Sequence, residues 1–198
     1  MNKKELINQL YNLRKLTNQA EGEAFENKLS ELSEEISIED IGEVCKIFDD
    51  NTKDEEIMFG VIHMIEKLAG YDYLKCIATH TPLMIEGKDW ALTLNKRILN
   101  SKKYYPEYIE VIKSLNEKEK AQIIDLLIAV KNDNISRFGE KVDYLLQRCW
   151  YDYLRMTGEL PATNETFISP TYSFSSDYDG ITVEFELRIN HGRIIRKY

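Results

Sequence analysis

The spacing of apolar residues predicts a chain built mainly of α-helices. The strongest pattern lies in residues 54–101, where Ile57, Val61 and Ile65 recur every four positions. Further apolar residues widen this row into a face, which is typical of a helix that packs on two or more neighbours. The last part of the same segment repeats the pattern around Trp90. Two such buried helices need flanking helices to cover them.

Apolar stripes with helical spacing also occur before and after this segment. Asp54 or Thr52 is expected to cap its first helix, and Asn116 with Glu119 is the pattern of a capping box. The further predicted helices are 3–16, 21–33, 38–48, 71–78, one that begins near Pro106, 117–131, and one from Phe138 to Met156.

The predicted helices fall into antiparallel pairs with a period of roughly 30–40 residues. Pairs of this length that stack on their neighbours form an α-solenoid. The predicted fold class is therefore mainly α, a short HEAT- or armadillo-like solenoid, with a compact helical bundle as the alternative.

The periodicity changes after Pro161. From Ile181 to Ile189 apolar and polar residues alternate, which indicates a half-buried strand. A turn containing His191 then leads into a strand over 193–198, and 171–175 is a third candidate strand. Because so small a sheet is unstable alone, the sequence predicts a helical domain, 1–160, and a C-terminal β-hairpin or three-stranded sheet, 161–198, docked on it.

The charge of the chain is negative and unevenly distributed. The net charge is −8, which disfavours a duplex nucleic-acid binder because such a protein needs a basic face. Residues 21–66 contain fifteen acidic and three basic residues. These acids are either solvated helix faces or a surface that attracts a basic partner.

The three cysteines, Cys45, Cys76 and Cys149, are widely spaced and each lies in an apolar helical pattern. They are interpreted as buried free thiols of a reducing compartment. The chain has no run of eighteen apolar residues and no signal-peptide pattern at its N-terminus. A cytoplasmic protein that does not span a membrane is expected.

Candidate chemistry is sparse. His63 and Glu66 are neighbours on a helix, but no HExxH, paired-cysteine or nucleophile motif accompanies them. We therefore expect no catalytic residues, no metal site, no cofactor and no enzyme activity. Glu66 is better explained by an ion pair with Arg97, which would fix the relative position of two helices.

Three stretches together carry a family resemblance. They are IMFGVIHMIE (57–66), YDYLKCI (71–77) and DWALTLNKRILNS (89–101). The chain resembles the immunity protein 30 family of bacterial polymorphic toxin systems, most clearly at His63-x-x-Glu66 and at Trp90 followed by Arg97 to Asn100. The resemblance extends from about residue 29 to about residue 130. Its motif residues, Glu66, Trp90, Arg97 and Asn100, are interpreted as structural.

The resemblance implies a small protein that binds one cognate toxin domain stoichiometrically and blocks it. A basic nuclease would suit this partner role, because an acidic inhibitor complements a basic face. The expected contact surface consists of eight acidic residues, Glu39, Asp40, Glu43, Asp49, Asp50, Asp54, Glu55 and Glu56. Two alternatives are a HEAT-like adaptor with another protein partner and, less favoured, an enzyme or small-molecule binder.

Overall fold

A computed structural model describes residues 2–157, 171–178, 181–190 and 193–197, with side-chain surroundings for residues 2–149. The α-helices are α1 (Lys3–Leu13), α2 (Gln19–Glu35), α3 (Ile41–Val44), α4 (Glu55–Glu66), α5 (Tyr71–His80), α6 (Lys88–Asn100), α7 (Tyr104–Ser114), α8 (Glu117–Asp133) and α9 (Ile135–Thr157). Three 3-10 helices cover Ile38–Asp40, Cys45–Ile47 and Thr81–Leu83.

Side chains of aspartate and asparagine set the starts of several helices. Asp54 accepts a hydrogen bond from the Ile57 N–H at 3.0 Å, which confirms it as the cap of α4. Asn116 and Glu119 form the predicted capping box at the start of α8. These short acceptors satisfy N–H groups that the first helical turn leaves unpaired.

The predicted helix over 38–48 is wrong in its continuity. The structure has a 3-10 turn, the single α-helical turn of α3 and a second 3-10 turn. Gly42, a weak helix former, lies in the middle of this segment. A Cβ at Gly42 would lie 2.6 Å from Nε2 of His80, which explains why this position is glycine. The segment is helical from Ile38 to Ile47, but only Ile41–Val44 is α-helical.

All nine α-helices contribute to one contiguous hydrophobic core in the part of the chain with described side chains. Along the chain α1 packs on α2, α2 on α4, α3 on α5, α5 on α7, α6 on α8, and α9 on both α7 and α8. The core runs from Leu6 in α1 to Cys149 in α9. Helices separated in sequence by one element thus lie side by side.

The predicted fold class is wrong in joining a HEAT-like solenoid to a small β-sheet. In residues 2–149, whose side-chain surroundings are described, the core is made by helical segments and their connections, so the fold established for this part of the chain is all-α. Outside it, three segments have paired extended backbone, Thr171–Tyr178, Ile181–Asn190 and Arg193–Lys197, in antiparallel order β1-β2-β3. Alternating polarity predicts that these segments are strands, but it does not determine what the strands pack on. The domain division at residue 160 stays a prediction, and His191 lies outside the described residues.

A buried polar chain links α5, α6, α7 and the 3-10 helix Thr81–Leu83 inside this core. The Tyr108 hydroxyl donates to Oδ1 of Asn95 at 2.7 Å, and Nδ2 of Asn95 donates to Oγ1 of Thr81 at 3.0 Å and to the Ala91 carbonyl at 2.9 Å. Thr81 in turn donates to the Ile77 carbonyl at 2.8 Å. Burial raises the pKa of Tyr108 well above its usual value, so the phenol keeps its proton and donates.

The substitution Tyr108→Phe is expected to lower the free energy of unfolding by about 1–3 kcal/mol, because it removes the donor from the buried Asn95 oxygen. Urea denaturation measures this difference. Tyr144→Phe is the matched control, since Tyr144 is 48% exposed, and a change within about 0.5 kcal/mol is expected there. Equal effects of the two substitutions would show that the buried chain contributes nothing particular.

Candidate functional site

The loop over residues 48–51 lies at the centre of the predicted acidic surface and binds two other segments. The Trp90 indole Nε1–H donates to the Asp49 carbonyl at 3.1 Å. The Asp50 carboxylate accepts from the backbone N–H groups of Lys88 at 2.8 Å and Asp89 at 3.0 Å. The Asp50 N–H donates to the Glu86 carbonyl at 2.8 Å. Asp50 thus supplies the acceptor at the start of α6, where Gly87 has no side chain to do so.

The side chain of Asp49 is buried rather than displayed. It is 2% exposed, and its Oδ2 lies 3.2 Å from Nε of Arg14. The same guanidinium donates to the Tyr11 carbonyl at 2.9 Å and to Glu86 Oε2 at 2.9 Å. Asp49 therefore joins α1 to the loop, and in this structure it is not part of a contact surface.

Two further predicted contact residues have structural roles. Asp40 accepts hydrogen bonds from Lys3 Nζ at 2.7 Å and from the Ser37 N–H at 2.9 Å. Partial burial raises the pKa of Asp40, but the hydrogen bonds from Lys3 and Ser37 outweigh it and leave the pKa below its ordinary value. Asp54 caps α4 as described above.

The four glutamates of the predicted set are exposed: Glu39, Glu43, Glu55 and Glu56. Glu43 forms an exposed ion pair with Lys46 at 2.6 Å. All four aspartates accept from backbone or basic groups, but only Asp49 is buried; Asp40 and Asp54 are partly buried, and Asp50 is exposed like the glutamates. The exposed carboxylates are the ones able to meet a partner.

The motif residues hold the helices together. Trp90 is 6% exposed, and its ring stacks on Phe48 at 5.7 Å between centroids and meets the edge of Phe59 at 5.1 Å. On α6, Asn100 accepts a hydrogen bond from Lys141 Nζ at 2.8 Å and so connects α6 to α9.

The ion pair predicted between Glu66 and Arg97 is confirmed. Nε of Arg97 donates to Oε1 of Glu66 at 2.6 Å, and an Nη2 hydrogen bond to Oε2 at 2.7 Å makes the pair bidentate. The hydrogen bond from Glu66 raises the pKa of Arg97 above its usual value. This parallel geometry fixes the end of α4 against α6 more strictly than a single contact would.

An apolar cleft of about 290 Å³ lies between residues 42–48 and residues 80–87, and no sequence pattern predicted it. Leu83 is 55% exposed and Ile85 81% exposed at its edge. The only sequence signal was the run of apolar residues after Pro82, in a segment that has no clear period. The lining residues are Tyr11, Gly42, Cys45, Lys46, Phe48, His80, Leu83, Met84, Ile85, Glu86 and Gly87.

His80 forms one wall of this cleft. Its Nδ1 lies 2.8 Å from the Cys76 carbonyl, which can only accept, so Nδ1 carries the proton. In the neutral ring Nε2 is then an acceptor, and it faces Gly42. One histidine without a second ionisable partner in hydrogen-bonding range does not form an acid–base pair.

The described residues contain no group of three or more histidine, cysteine or acidic side chains that could hold a metal ion. His63 is 63% exposed, with its Nδ1 3.8 Å from Glu66, which is already engaged by Arg97. Over the same part of the chain, the helices are too short or too polar to cross a membrane.

Residues 12–108 match the immunity protein 30 family. The resemblance predicted from about residue 29 to about residue 130 is confirmed, and the match begins and ends earlier in the chain than predicted. A second match, to the PT3 toxin domain, covers residues 144–195. No curated protein and no solved structure gave a match.

The immunity protein 30 region, residues 12–108, includes nearly every feature described above. It contains the loop over 48–51, the Trp90 contacts, the Glu66–Arg97 pair, the four exposed glutamates and all of the cleft lining except Tyr11. The PT3 toxin domain match instead covers the second half of α9, β1, β2 and most of β3. The two matches therefore fall on different parts of the chain.

The Glu66–Arg97 pair in the immunity protein 30 region is expected to contribute a coupling free energy of about 0.5–1 kcal/mol, since both side chains are partly exposed. A double-mutant cycle with Glu66→Gln and Arg97→Gln, followed by urea denaturation, measures this coupling. The control cycle uses Glu43 and Lys46, which are 62% and 61% exposed, and should give no more than about 0.3 kcal/mol. A larger coupling in the control pair would contradict the structural role of the Glu66–Arg97 pair.

Proposed function

We propose that this chain is an immunity protein that binds one cognate toxin domain in the cytoplasm with defined stoichiometry and blocks it without catalysis. The observation that carries the proposal is the immunity protein 30 match over residues 12–108. Within that region the helices share a buried hydrophobic core, and the side chains of Glu39, Glu43, Glu55 and Glu56 are exposed. A binding protein needs both a stable core and exposed groups that can contact its partner.

The arrangement of the region supports binding by a surface that exists before the toxin arrives. Asp49 and Asp50 are fixed by Arg14 and by the start of α6, and Trp90 is fixed by the Asp49 carbonyl. A backbone held in this way loses little further freedom when a partner binds the exposed residues that it carries, which favours affinity.

The charge of the chain supports a basic partner. The net charge is −8, and the exposed glutamates Glu39, Glu43, Glu55 and Glu56 extend this charge over the region that matches the family. A toxin that acts on nucleic acid carries a basic face, and opposite charges speed association. A basic nuclease is therefore the kind of toxin that we propose.

Co-expression tests the proposal directly. The candidate toxin domain is the C-terminal domain of the protein encoded by the gene next to the gene for this chain. Expression of that domain is expected to arrest growth, and co-expression of this chain is expected to restore growth. Calorimetric titration of the two purified proteins should then give a single stoichiometric ratio. Growth arrest that persists in the presence of the folded chain would overturn the proposal.

Charge reversal should slow association where the acidic surface is used. The double variant Glu55→Lys with Glu56→Lys is expected to lower the association rate about tenfold at low salt, with the difference shrinking as salt is added. Stopped-flow fluorescence measures this rate. The control reverses two equally exposed glutamates outside the immunity protein 30 region, Glu110 and Glu117, and should change the rate less. Equal slowing by both double variants would show that only net charge matters.

The PT3 toxin domain match favours a second candidate, in which residues 144–195 themselves contribute toxin function. Expression of the full chain without any partner separates the two. Normal growth is expected of an immunity protein, whereas growth arrest by the chain alone would favour the second candidate.

A further inference from the structure

We propose that the cleft between α3 and the loop over 83–87 receives an apolar side chain of the toxin domain that is flanked by lysine or arginine. This inference rests on the proposed function and names the place where binding occurs.

The cleft offers apolar surface that the fold itself leaves uncovered. Ile85 is 81% exposed and Leu83 is 55% exposed, although both are large apolar side chains. Phe48 and Met84, which are buried, line the same cleft of about 290 Å³. A cleft of this size holds one or two side chains, and covering it removes apolar surface from water.

Two glycines set the walls of the cleft. A Cβ at Gly42 would lie 2.6 Å from Nε2 of His80, and one at Gly87 would lie 2.8 Å from Cβ and from the carbonyl oxygen of Phe48. The His80 ring is itself held by the Cys76 carbonyl. Neither glycine position has room for a side chain, because His80 and Phe48 lie this close to the backbone. The cleft is therefore formed before a partner binds.

The charge around the cleft selects the flanking residues of the partner. Lys46 and Glu86 line the cleft itself. On residues 38–56, which contribute one wall, five acidic residues are exposed, Glu39, Glu43, Asp50, Glu55 and Glu56, against two exposed basic ones, Lys46 and Lys53. The opposite segment, 80–89, adds Glu86 and Asp89 against Lys88. Basic groups beside the apolar side chain would be attracted here. A second copy of this chain, with its net charge of −8, would be repelled, which argues against self-association through the same surface.

The test compares one exposed isoleucine in the cleft with one outside it. Ile85→Asp removes the apolar contact while adding negative charge, so a purely electrostatic interaction would be strengthened and a seated apolar side chain would be lost. We expect the Kd for the C-terminal domain encoded by the adjacent gene to rise about tenfold or more. Isothermal titration calorimetry measures it.

Ile135→Asp is the matched control. Ile135 is 64% exposed at the start of α9 and lies outside the immunity protein 30 region. Its Kd for the toxin domain should stay within about twofold of the Kd of the unchanged chain. Such a change is smaller than the effect of losing an important interface side chain. Thermal denaturation of both variants verifies that each remains folded, which is expected because both side chains face solvent.

The outcomes separate this inference from the proposed function. If the unchanged chain does not bind the toxin domain, the proposed function fails and this inference fails with it. If the unchanged chain binds and Ile85→Asp binds equally well, only the cleft proposal is overturned. The same holds if Ile135→Asp weakens binding instead, or if sedimentation shows self-association that Ile85→Asp abolishes.

Discussion

The junction made by Asp49, Asp50 and Trp90 is the constraint on which the rest of the immunity protein 30 region depends. The Asp49 carbonyl accepts a hydrogen bond from the Trp90 indole N–H. The Asp50 carboxylate accepts hydrogen bonds from the first two N–H groups of α6. Since Gly87 supplies no capping side chain, α6 begins correctly only if the loop is in place. Arg14 then ties α1 to the same point through the buried Asp49 side chain.

The acidic residues near this junction are close together in sequence but have different structural roles. The aspartates have short side chains that reach nearby N–H groups and basic groups, as in caps and turns. Asp40, Asp49, Asp50 and Asp54 are all used in this way. The longer glutamates of the same segment face solvent. Charge counted along the sequence therefore overstates the exposed charge, because Asp49 is buried and Asp40 and Asp54 are partly buried.

The sequence predicted the helices, which depend on local periodicity. It did not predict the features that depend on contacts between residues distant in sequence. Apolar spacing located the long helices, and adjacent faces on α4 and α6 were enough to predict the Glu66–Arg97 pair. No local pattern reveals the approach of His80 to Gly42. Burial of Asp49 and the cleft at Ile85 likewise arise from segments more than thirty residues apart.

The central claim is that a surface fixed by this junction binds the toxin domain without rearrangement of the helical core. Hydrogen exchange of the chain, alone and saturated with the toxin domain, tests it most directly. New protection of backbone amides is expected in residues 38–50 and 80–89, with exchange in α7 and α8 unchanged. New protection confined to residues 144–197, the part that contains the PT3 toxin domain match, would contradict it.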